Sequence, residues 1–341
     1  MLGVAFWLFL LALGNLSIHE LLEELSGVRY SWIYLSIGIA ILSHWLRAYR
    51  WNMLLEPLGY KRLTSFKTFL AVMSGYLANM AVPRMGEITR CGILKKTDGV
   101  PVTTSLGTVI TERLLDALVL LLLLALTLIL DYEIIKEFTV SFFSERFASL
   151  SDRYHTWFNI LVAAGAVLGA GGVIGLFLLV RYKERLKKRA ALNKLLTLIE
   201  QGFEGILSIR KVKNVPLFIL LTMGIWFCYY MMSFLAFRAI PETAHLSWIA
   251  GLSVFTFGGV GMVLPAPGGL GTYHVIVKSV LQLYHVKGAP AVLFATVVHA
   301  AQSIMFVVIG GLSIFVSVFI SKKKKNENEK HTHRVKNMQQ R

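Results

Sequence analysis

Residues 79–90 read NMAVPRMGEITR, and they place Arg84, Glu87 and Arg90 directly after an apolar segment that ends in a proline. That apolar segment, residues 66–82, has the composition of a helix buried in a membrane. A proline followed by charged residues does not continue such a helix. Helical spacing puts the three charged side chains on or near one face. We therefore predict that the chain turns back here and presents a charged face beside an apolar hairpin.

The composition is that of an integral membrane protein. Of the 341 residues, 55% are hydrophobic and 16% are charged, and the mean hydropathy is +0.63. A helix needs roughly 20 apolar residues to cross a hydrocarbon core about 30 Å thick. The candidate crossings are residues 2–18, 30–46, 114–130, 158–180, 215–237 and 290–320. We interpret the first as a retained helix rather than a signal peptide, because no Lys or Arg precedes it.

The formal net charge of +16 comes mostly from short segments that flank the apolar runs. This pattern indicates membrane topology rather than nucleic-acid binding. The cationic segments are residues 47–67, 84–113, 181–213 and the end of the chain from 322. The positive-inside rule places them, and both termini, in the cytoplasm. We predict a multi-pass protein of the bacterial cytoplasmic membrane, with one domain at 1–320 and a basic, disordered cytoplasmic tail at 321–341.

Two apolar segments, residues 66–82 and 248–264, fit no crossing in this charge assignment. Each ends at a proline that is followed by glycine, so we predict two re-entrant hairpins that enter from opposite faces. Broken segments at corresponding places in two inverted halves point to the central site of a transporter. The predicted fold class is all-α and polytopic, with about six transmembrane helices, two re-entrant hairpins and an order compatible with an inverted repeat.

The first hairpin contains the elements of an anion site. Pro83 suits the first turn of the helix that follows it, and Gly86 permits close backbone approach. The amino end of that helix, together with Arg84 and Arg90, favours a bound anion. The alternative is an interfacial segment in which the arginines reach toward water and Glu87 neutralises one of them.

A second charged group, Glu112, Arg113 and Asp116, stands at the start of the next crossing. Its spacing allows an ion pair within one helical turn, which by itself explains the group as local helix stabilisation. However, Asp116 lies one turn inside an uncharged run, where a carboxylate needs a buried partner. We predict that this partner is Arg84 or Arg90.

The second hairpin is rich in proline and glycine, at Pro265, Gly268, Gly269 and Gly271. Non-helical backbone at membrane depth is tolerated where it lines a cavity, although an extracellular loop would explain the same residues. His274 follows, and His299 stands in the last crossing. Histidine titrates near neutral pH, so both are candidate site residues. Interfacial or interhelical hydrogen bonding is the alternative role.

Several functional classes lack their motifs in this sequence. It has no Walker motif, no nucleophile elbow, no zinc-binding His–Glu pair and no soluble segment large enough for a catalytic domain. We therefore expect neither an ATP-driven pump nor a cofactor or metal. Cys91 and Cys228 stand in no ligand or disulfide pattern and are predicted to be free, buried thiols.

Together these residues resemble the bacterial and archaeal family built on the transmembrane, flippase-like domain of lysylphosphatidylglycerol synthase. The family pattern is a proline with Arg-x-Gly-Glu-x-x-Arg, then Glu-Arg-x-x-Asp, then a proline with Gly-Gly-x-Gly. Its counterparts here are Pro83, Arg84, Gly86, Glu87 and Arg90, then Glu112, Arg113 and Asp116, then Pro265, Gly268, Gly269 and Gly271. Family members often have a glutamate and an arginine where this chain has His274 and His299. The soluble aminoacyl-transferase domain of the full synthases is not expected.

The resemblance implies transport without lipid synthesis. Under this hypothesis Arg84, Arg90 and Arg113 engage the phosphate of an anionic phospholipid or polyprenyl phosphate, while Glu87 and Asp116 hold the arginines. Two alternatives stay open. One is an enzyme or enzyme subunit acting on lipid-linked substrates, with Glu87 or Asp116 as general base. The other is a structural membrane protein that docks a partner through residues 181–213. The expected partner is an anionic membrane lipid, and a homo-oligomer or a lipid-modifying enzyme partner stays open.

Overall fold

The computed structural model describes residues 25–61, 63–132, 208–264, 266–286 and 288–339, with side chains as far as residue 323. The predicted crossings at 2–18 and 158–180, most of the basic segment 181–213, and Pro265 lie outside these residues. The described backbone contains helices and turns and no strand. This confirms the all-α fold class.

Eight helices make up most of the described chain. They are α1 (Tyr30–Leu55), α2 (Ser65–Ala81), α3 (Met85–Asp98), α4 (Val102–Leu130), α5 (Val215–Phe237), α6 (Trp248–Val263), α7 (Thr272–Leu283) and α8 (Ala289–Gln339). Short 3-10 turns occur at Glu56–Leu58, Ser208–Lys211, Pro241–Thr243 and Pro267–Gly269.

Three described helices are long and apolar enough to cross a membrane: α4, α5 and residues Ala289–Lys323 of α8. The helix α5 has the bounds that the sequence predicted, whereas α1 and α4 are longer than the predicted runs 30–46 and 114–130. Both extensions contain charged side chains, and three of these, Arg47, Arg50 and Glu112, are buried against one another rather than marking a helix end. The protein is a multi-pass membrane protein, and the number of six crossings stays a prediction.

The end of α8 differs from the sequence prediction. Disorder was expected from residue 321, whereas the backbone stays helical to Gln339. Lysine and glutamate, frequent in this segment, are good helix formers. Extending an existing helix also requires no new nucleation step.

The two half-helices α2 and α6 begin and end in the same way. The side chain of Thr64 accepts a hydrogen bond from the N–H of Lys67 at 3.4 Å, and that of Ser247 accepts one from the N–H of Ala250 at 3.2 Å. These are typical N-caps. Each helix ends at an extended residue that precedes a proline, because proline excludes the helical conformation from the residue before it.

The described helices form two halves, α1 to α4 and α5 to α8, whose helices pack in corresponding pairs. The pairs α1–α2, α2–α3 and α3–α4 are in contact, and so are their counterparts α5–α6, α6–α7 and α7–α8. The pair α2–α8 likewise corresponds to α6–α4. The hairpin tips meet, since a Cβ atom on Gly268 would lie 3.7 Å from the Cα of Met80. Exchanging the halves maps each of these four pairs onto a packed pair, the pattern expected of an inverted repeat, whereas α1–α8 and α3–α8 have no counterpart of similar extent.

The helices α1 and α5 pack against each other and run antiparallel. The hydroxyl of Ser36 donates to the carbonyl of Met232 at 3.1 Å. Further along α1, Arg50 donates to the hydroxyl of Thr222 at 3.2 Å. An axis in the membrane plane that relates the halves would make these two helices antiparallel.

Candidate functional site

A buried ionic cluster joins α1, α3 and α4 beside the first hairpin. We define the ionic cluster as Arg47 and Arg50 of α1, Glu87 and Arg90 of α3, and Glu112, Arg113 and Asp116 of α4. It brings together five residues that the sequence singled out and two that it did not.

Asp116 is bound between two arginines of α1. Its Oδ2 accepts a hydrogen bond from Nη2 of Arg47 at 2.9 Å, and its Oδ1 accepts one from Nη2 of Arg50 at 2.9 Å. The predicted buried partner therefore exists, but the prediction that it is Arg84 or Arg90 is wrong. The local ion pair with Arg113 is also present, at 3.7 Å.

Glu112 lies at the centre of the cluster, with its side chain fully buried. Its Oε2 is 2.9 Å from Nη1 of Arg90, and its Oε1 is 3.3 Å from Nη2 of Arg50. The Nη1 of Arg47 lies 3.6 Å from the same Oε1. This carboxylate therefore links α4 both to the hairpin and to α1. The sequence placed Glu112 at the start of a crossing helix. In the structure it lies ten residues after the first residue of α4, well inside the helix.

The three charged residues of the first hairpin have separate environments. Arg90 is buried against Glu112. Glu87 lies 3.3 Å from Nε of Arg113, and these two side chains are 22% and 41% exposed. Arg84 is exposed at the tip, where its φ of 65° is left-handed, and α3 begins after it at Met85 rather than at Pro83. The prediction of one shared face therefore fails for Arg84.

Gly86 closes the hairpin by backbone contact, as its sequence position indicated. A Cβ atom there would lie 2.2 Å from the carbonyl oxygen of Gly75, so only glycine fits. The N–H of Gly86 donates to Oδ1 of Asn79 at 2.7 Å. This contact fixes the start of α3 and hence the position of Arg90 one turn later.

Aromatic and hydroxyl groups also contact the arginines of the ionic cluster. The guanidinium of Arg90 lies 4.6 Å from the ring centroid of Trp51, a cation–π contact. The indole N–H of Trp51 donates to Thr108 at 2.9 Å. Nε of Arg47 donates to the hydroxyl of Tyr229 at 3.1 Å. The arginines are thus fixed in position without full use of their donors.

Several buried guanidinium N–H groups in the cluster have no hydrogen-bond acceptor among the described residues. They are Nε of Arg50, Nε and Nη2 of Arg90, and also Nη1 of Arg47 and Nε of Arg113, of which the last two still lie within 3.6 Å of a carboxylate. Two buried carboxylate oxygens of the cluster, Oε2 of Glu87 and Oε2 of Glu112, likewise accept no hydrogen bond from a described residue. Four arginines face three carboxylates, so the cluster carries one excess positive charge. A buried donor without an acceptor is costly and needs an explanation in a bound group or water. The arrangement is chemically suited to accept an anion.

Metal binding is not indicated. No group of three or more His, Cys, Asp or Glu side chains in the described segments could hold a metal ion. Cys91 and Cys228 are both free and buried, as predicted.

The second hairpin has a different site. Gly268, Gly269 and Gly271 all have positive φ, at 58°, 74° and 83°, which confirms that no continuous helix passes through them. Nε2 of His299 donates to the carbonyl of Gly268 at 2.9 Å. The rings of His274 and His299 have centroids 4.8 Å apart. The structure therefore joins the two predicted histidines at the hairpin tip.

Arg47 and Arg50 are the site residues that the sequence reasoning missed, because they were treated as part of an interfacial basic segment. A signal was available. The buried face of α1 recurs every three or four residues and continues through both arginines to Leu54 and Leu55. A cation within an apolar helical stripe requires a buried partner.

The comparisons with known proteins support one family. Residues 1–310 match the family described as "Lysylphosphatidylglycerol synthase TM region". A UPF0104 membrane protein of Methanocaldococcus jannaschii is 27% identical over 125 residues, which cover 36% of this chain and 37% of that protein. No solved structure matches significantly. Because the family match extends over most of the chain, the protein belongs to the family of the lysylphosphatidylglycerol synthase TM region.

Proposed function

We propose that this protein binds the anionic headgroup of a membrane lipid in the ionic cluster and translocates it across the cytoplasmic membrane. The observation that carries the proposal is the set of buried guanidinium donors on Arg50 and Arg90 without acceptors, in a cluster with excess positive charge. Phosphate oxygens are the preferred partners of such donors. The lipid-handling family to which the chain belongs supports a lipid as the source of the phosphate.

The headgroup enters the cluster through Arg113. The side chain of Arg113 is 41% exposed, whereas those of Arg47, Arg50 and Arg90 are 3% exposed or less. The first contact of a phosphate is therefore with Arg113, where it competes with Glu87. The buried arginines are reached only after this outer ion pair opens.

The carboxylates hold the arginines ready while no lipid is bound. A phosphate that displaces Glu87 or Glu112 replaces one anionic partner with another, so the arginines are never left without a counter-charge. This exchange avoids the large cost of an unpaired buried charge. Because Glu112 links α4 to α3, its release also frees the first hairpin to move relative to α4.

The hypothesis that the protein is an enzyme with Asp116 as general base is weaker. Both oxygens of Asp116 already accept hydrogen bonds from guanidinium groups at 2.9 Å. A carboxylate stabilised by two cations is a poor proton acceptor. Asp116 is therefore placed to retain its charge rather than to transfer a proton.

The test is leaflet exchange of headgroup-labelled phosphatidylglycerol in proteoliposomes that contain the full chain. We expect the protein to accelerate exchange, and we expect Arg113→Gln to slow it by at least about tenfold, the loss of one charged hydrogen-bonding contact. Arg210→Gln is the matched control, since Arg210 is an exposed arginine outside the cluster.

Two results would overturn the proposal. One is an exchange rate with the intact protein that equals the rate in protein-free liposomes across several anionic lipids. The other is equal exchange by Arg113→Gln and Arg210→Gln at matched reconstitution.

A further inference from the structure

The second half of the molecule places a pair of histidines where the first half places an ion pair. In the first half Arg90 of α3 meets Glu112 of α4, ten residues after α4 begins. In the second half His274 of α7 meets His299 of α8, also ten residues after its helix begins. Each contact joins the short helix of a hairpin to the long helix that follows.

The hydrogen bonds of this pair define where each ring carries its proton. Nε2 of His299 faces the carbonyl oxygen of Gly268 at 2.9 Å, so it carries hydrogen and donates. The other nitrogen, Nδ1, lies 3.5 Å from the hydroxyl of Ser303, which either donates or accepts. A proton added at Nδ1 of His299 therefore preserves the bond to Gly268 and reverses the bond to Ser303.

His274 accepts a proton less readily. Its Nδ1 accepts a hydrogen bond from the N–H of Gly271 at 3.4 Å, at the start of α7. Adding a proton there would place two donors face to face. The rings are 4.8 Å apart, so two positive charges would also repel each other. The pair therefore takes one proton, and His299 is the residue that holds it.

Few titratable side chains lie on the helices beside the histidine pair. The helix α6 contains no titratable side chain, and residues 289–320 of α8 contain His299 alone. The other titratable groups on α7 are Tyr273, whose ring lies against both histidines, and Lys278, one turn beyond His274. On α2, which approaches the hairpin tip, they are Lys67 and Tyr76, and Lys67 pairs with Asp98 at the far end of that hairpin.

We infer that His274 and His299 form a proton-binding pair that makes the second half a site for an anionic phosphate only while His299 carries a proton. The inference rests on the proposed function and deepens it, since it makes the proton the ion that is coupled to the lipid. The bond to Gly268 also connects this proton to the place where the two hairpin tips meet, at Met80.

The proton balance follows directly. In this scheme the unbound pair is uncharged, and binding one phosphate anion in the second half draws one proton from solution onto Nδ1 of His299. The ionic cluster takes up none, because its arginines are already charged. By linkage, affinity at the second site falls as pH rises, by about tenfold per pH unit once the unbound pair is deprotonated.

The experiment is titration calorimetry of the full chain in non-ionic detergent, in buffers of different ionisation enthalpy at pH 7. The probes are dihexanoyl phosphatidylglycerol and, separately, inorganic phosphate, which distinguishes a lipid headgroup from the free ion. We expect uptake of about one proton per second-site lipid. His299→Gln retains a donor for Gly268 but takes no proton, so we expect binding to the ionic cluster without proton uptake.

Three further variants complete the test. His245→Gln, an exposed histidine, retains full uptake, and so does His44→Gln. Ser303→Ala, which keeps both histidines, lowers uptake at pH 7 and protects the test against misfolding of His299→Gln. Lipid binding without proton uptake by the intact protein, or uptake that is kept in His299→Gln, overturns the inference and leaves the proposed function standing. Absence of any binding overturns both.

Discussion

The two hairpins share one arrangement but are joined to their neighbours by different chemistry. The helix pair α2–α3 connects to α4 and α1 through the ionic cluster. The pair α6–α7 has no ionic connection to residues 289–320 of α8. Neither α6 nor that part of α8 contains Asp, Glu, Lys or Arg. This pair closes instead by close approach of Gly261 to the backbone of Thr272 and Tyr273 and by the histidine contact.

The second hairpin therefore serves as an internal control for the first. A half-helix, a turn and a short helix can pack against the long helix α8 without an ion pair to it. Buried ion pairs are often no more stabilising than apolar residues of similar size. Buried ion pairs are therefore not a general requirement of this hairpin arrangement, which is consistent with the headgroup binding proposed for the ionic cluster.

Glu112→Gln has the largest expected effect on stability and tests the contrast between the two hairpins most directly. It leaves Arg47, Arg50 and Arg90 buried with one carboxylate fewer, so we expect a loss of about 3–5 kcal/mol in the free energy of unfolding. Thermal or denaturant unfolding in detergent measures it. His299→Gln, at the corresponding place in the second half, should cost far less because no buried charge is left unpaired.

Glu56→Gln is the matched control for that experiment. It removes a carboxylate from an exposed pair with Lys213, where the two side chains are 41% and 67% exposed. Such pairs contribute no more than about 1 kcal/mol. Equal losses for Glu112→Gln and Glu56→Gln would show that the cluster is open to solvent and would remove the contrast between the halves.

Gly86→Ala tests whether the first hairpin is also packed more tightly than the second. The new Cβ would lie 2.2 Å from the carbonyl oxygen of Gly75, and backbone cannot yield easily. We expect a loss of about 1–3 kcal/mol. At Gly261 the nearest backbone atoms are 3.2 Å away, so Gly261→Ala should cost less.

Gly92→Ala calibrates that measurement, because nothing lies within 4 Å of a Cβ atom there. In the middle of α3 alanine is the better helix former, and a gain of up to about 1 kcal/mol is expected. A cost at Gly92 similar to that at Gly86 would mean that hairpin closure does not depend on the contact with Gly75.

The contrast between the hairpins also explains how much the sequence could predict. Hairpin positions follow from local signals, namely an apolar segment, a proline and glycines, and α2 and α6 lie within a residue of the predicted bounds. Charged residues within or beside apolar sequence were also recognised as candidate site residues. Five of them lie together in the ionic cluster: Glu87, Arg90, Glu112, Arg113 and Asp116. Which arginine meets which carboxylate did not follow from the sequence, because Asp116 pairs with residues 66 and 69 positions away in the chain.

Asp131→Asn probes the base of the second hairpin. Asp131 follows α4, is buried, and accepts hydrogen bonds from Ser253 at 2.8 Å and from the hydroxyl of Tyr284. Both hydroxyls donate to the same oxygen, Oδ2, so asparagine can keep both hydrogen bonds but loses the charge that strengthens them, and we expect a loss of about 1–2 kcal/mol. A loss as large as that of Glu112→Gln, in the same unfolding assay, would show that this half also depends on a buried charge.

Arg84→Gly should have the smallest effect on stability and the opposite sign. Arg84 has a φ of 65°, which costs a residue with a side chain about 1 kcal/mol and costs glycine almost nothing. The unfolding free energy should therefore rise by about 1 kcal/mol, whereas Arg84→Ala, which keeps the unfavourable φ, should leave it unchanged. Both variants remove the same charge from the hairpin tip, so equal loss of lipid exchange would assign Arg84 to the headgroup path. Unaltered exchange in both would exclude Arg84 from headgroup binding and leave that role in the first half to the ionic cluster.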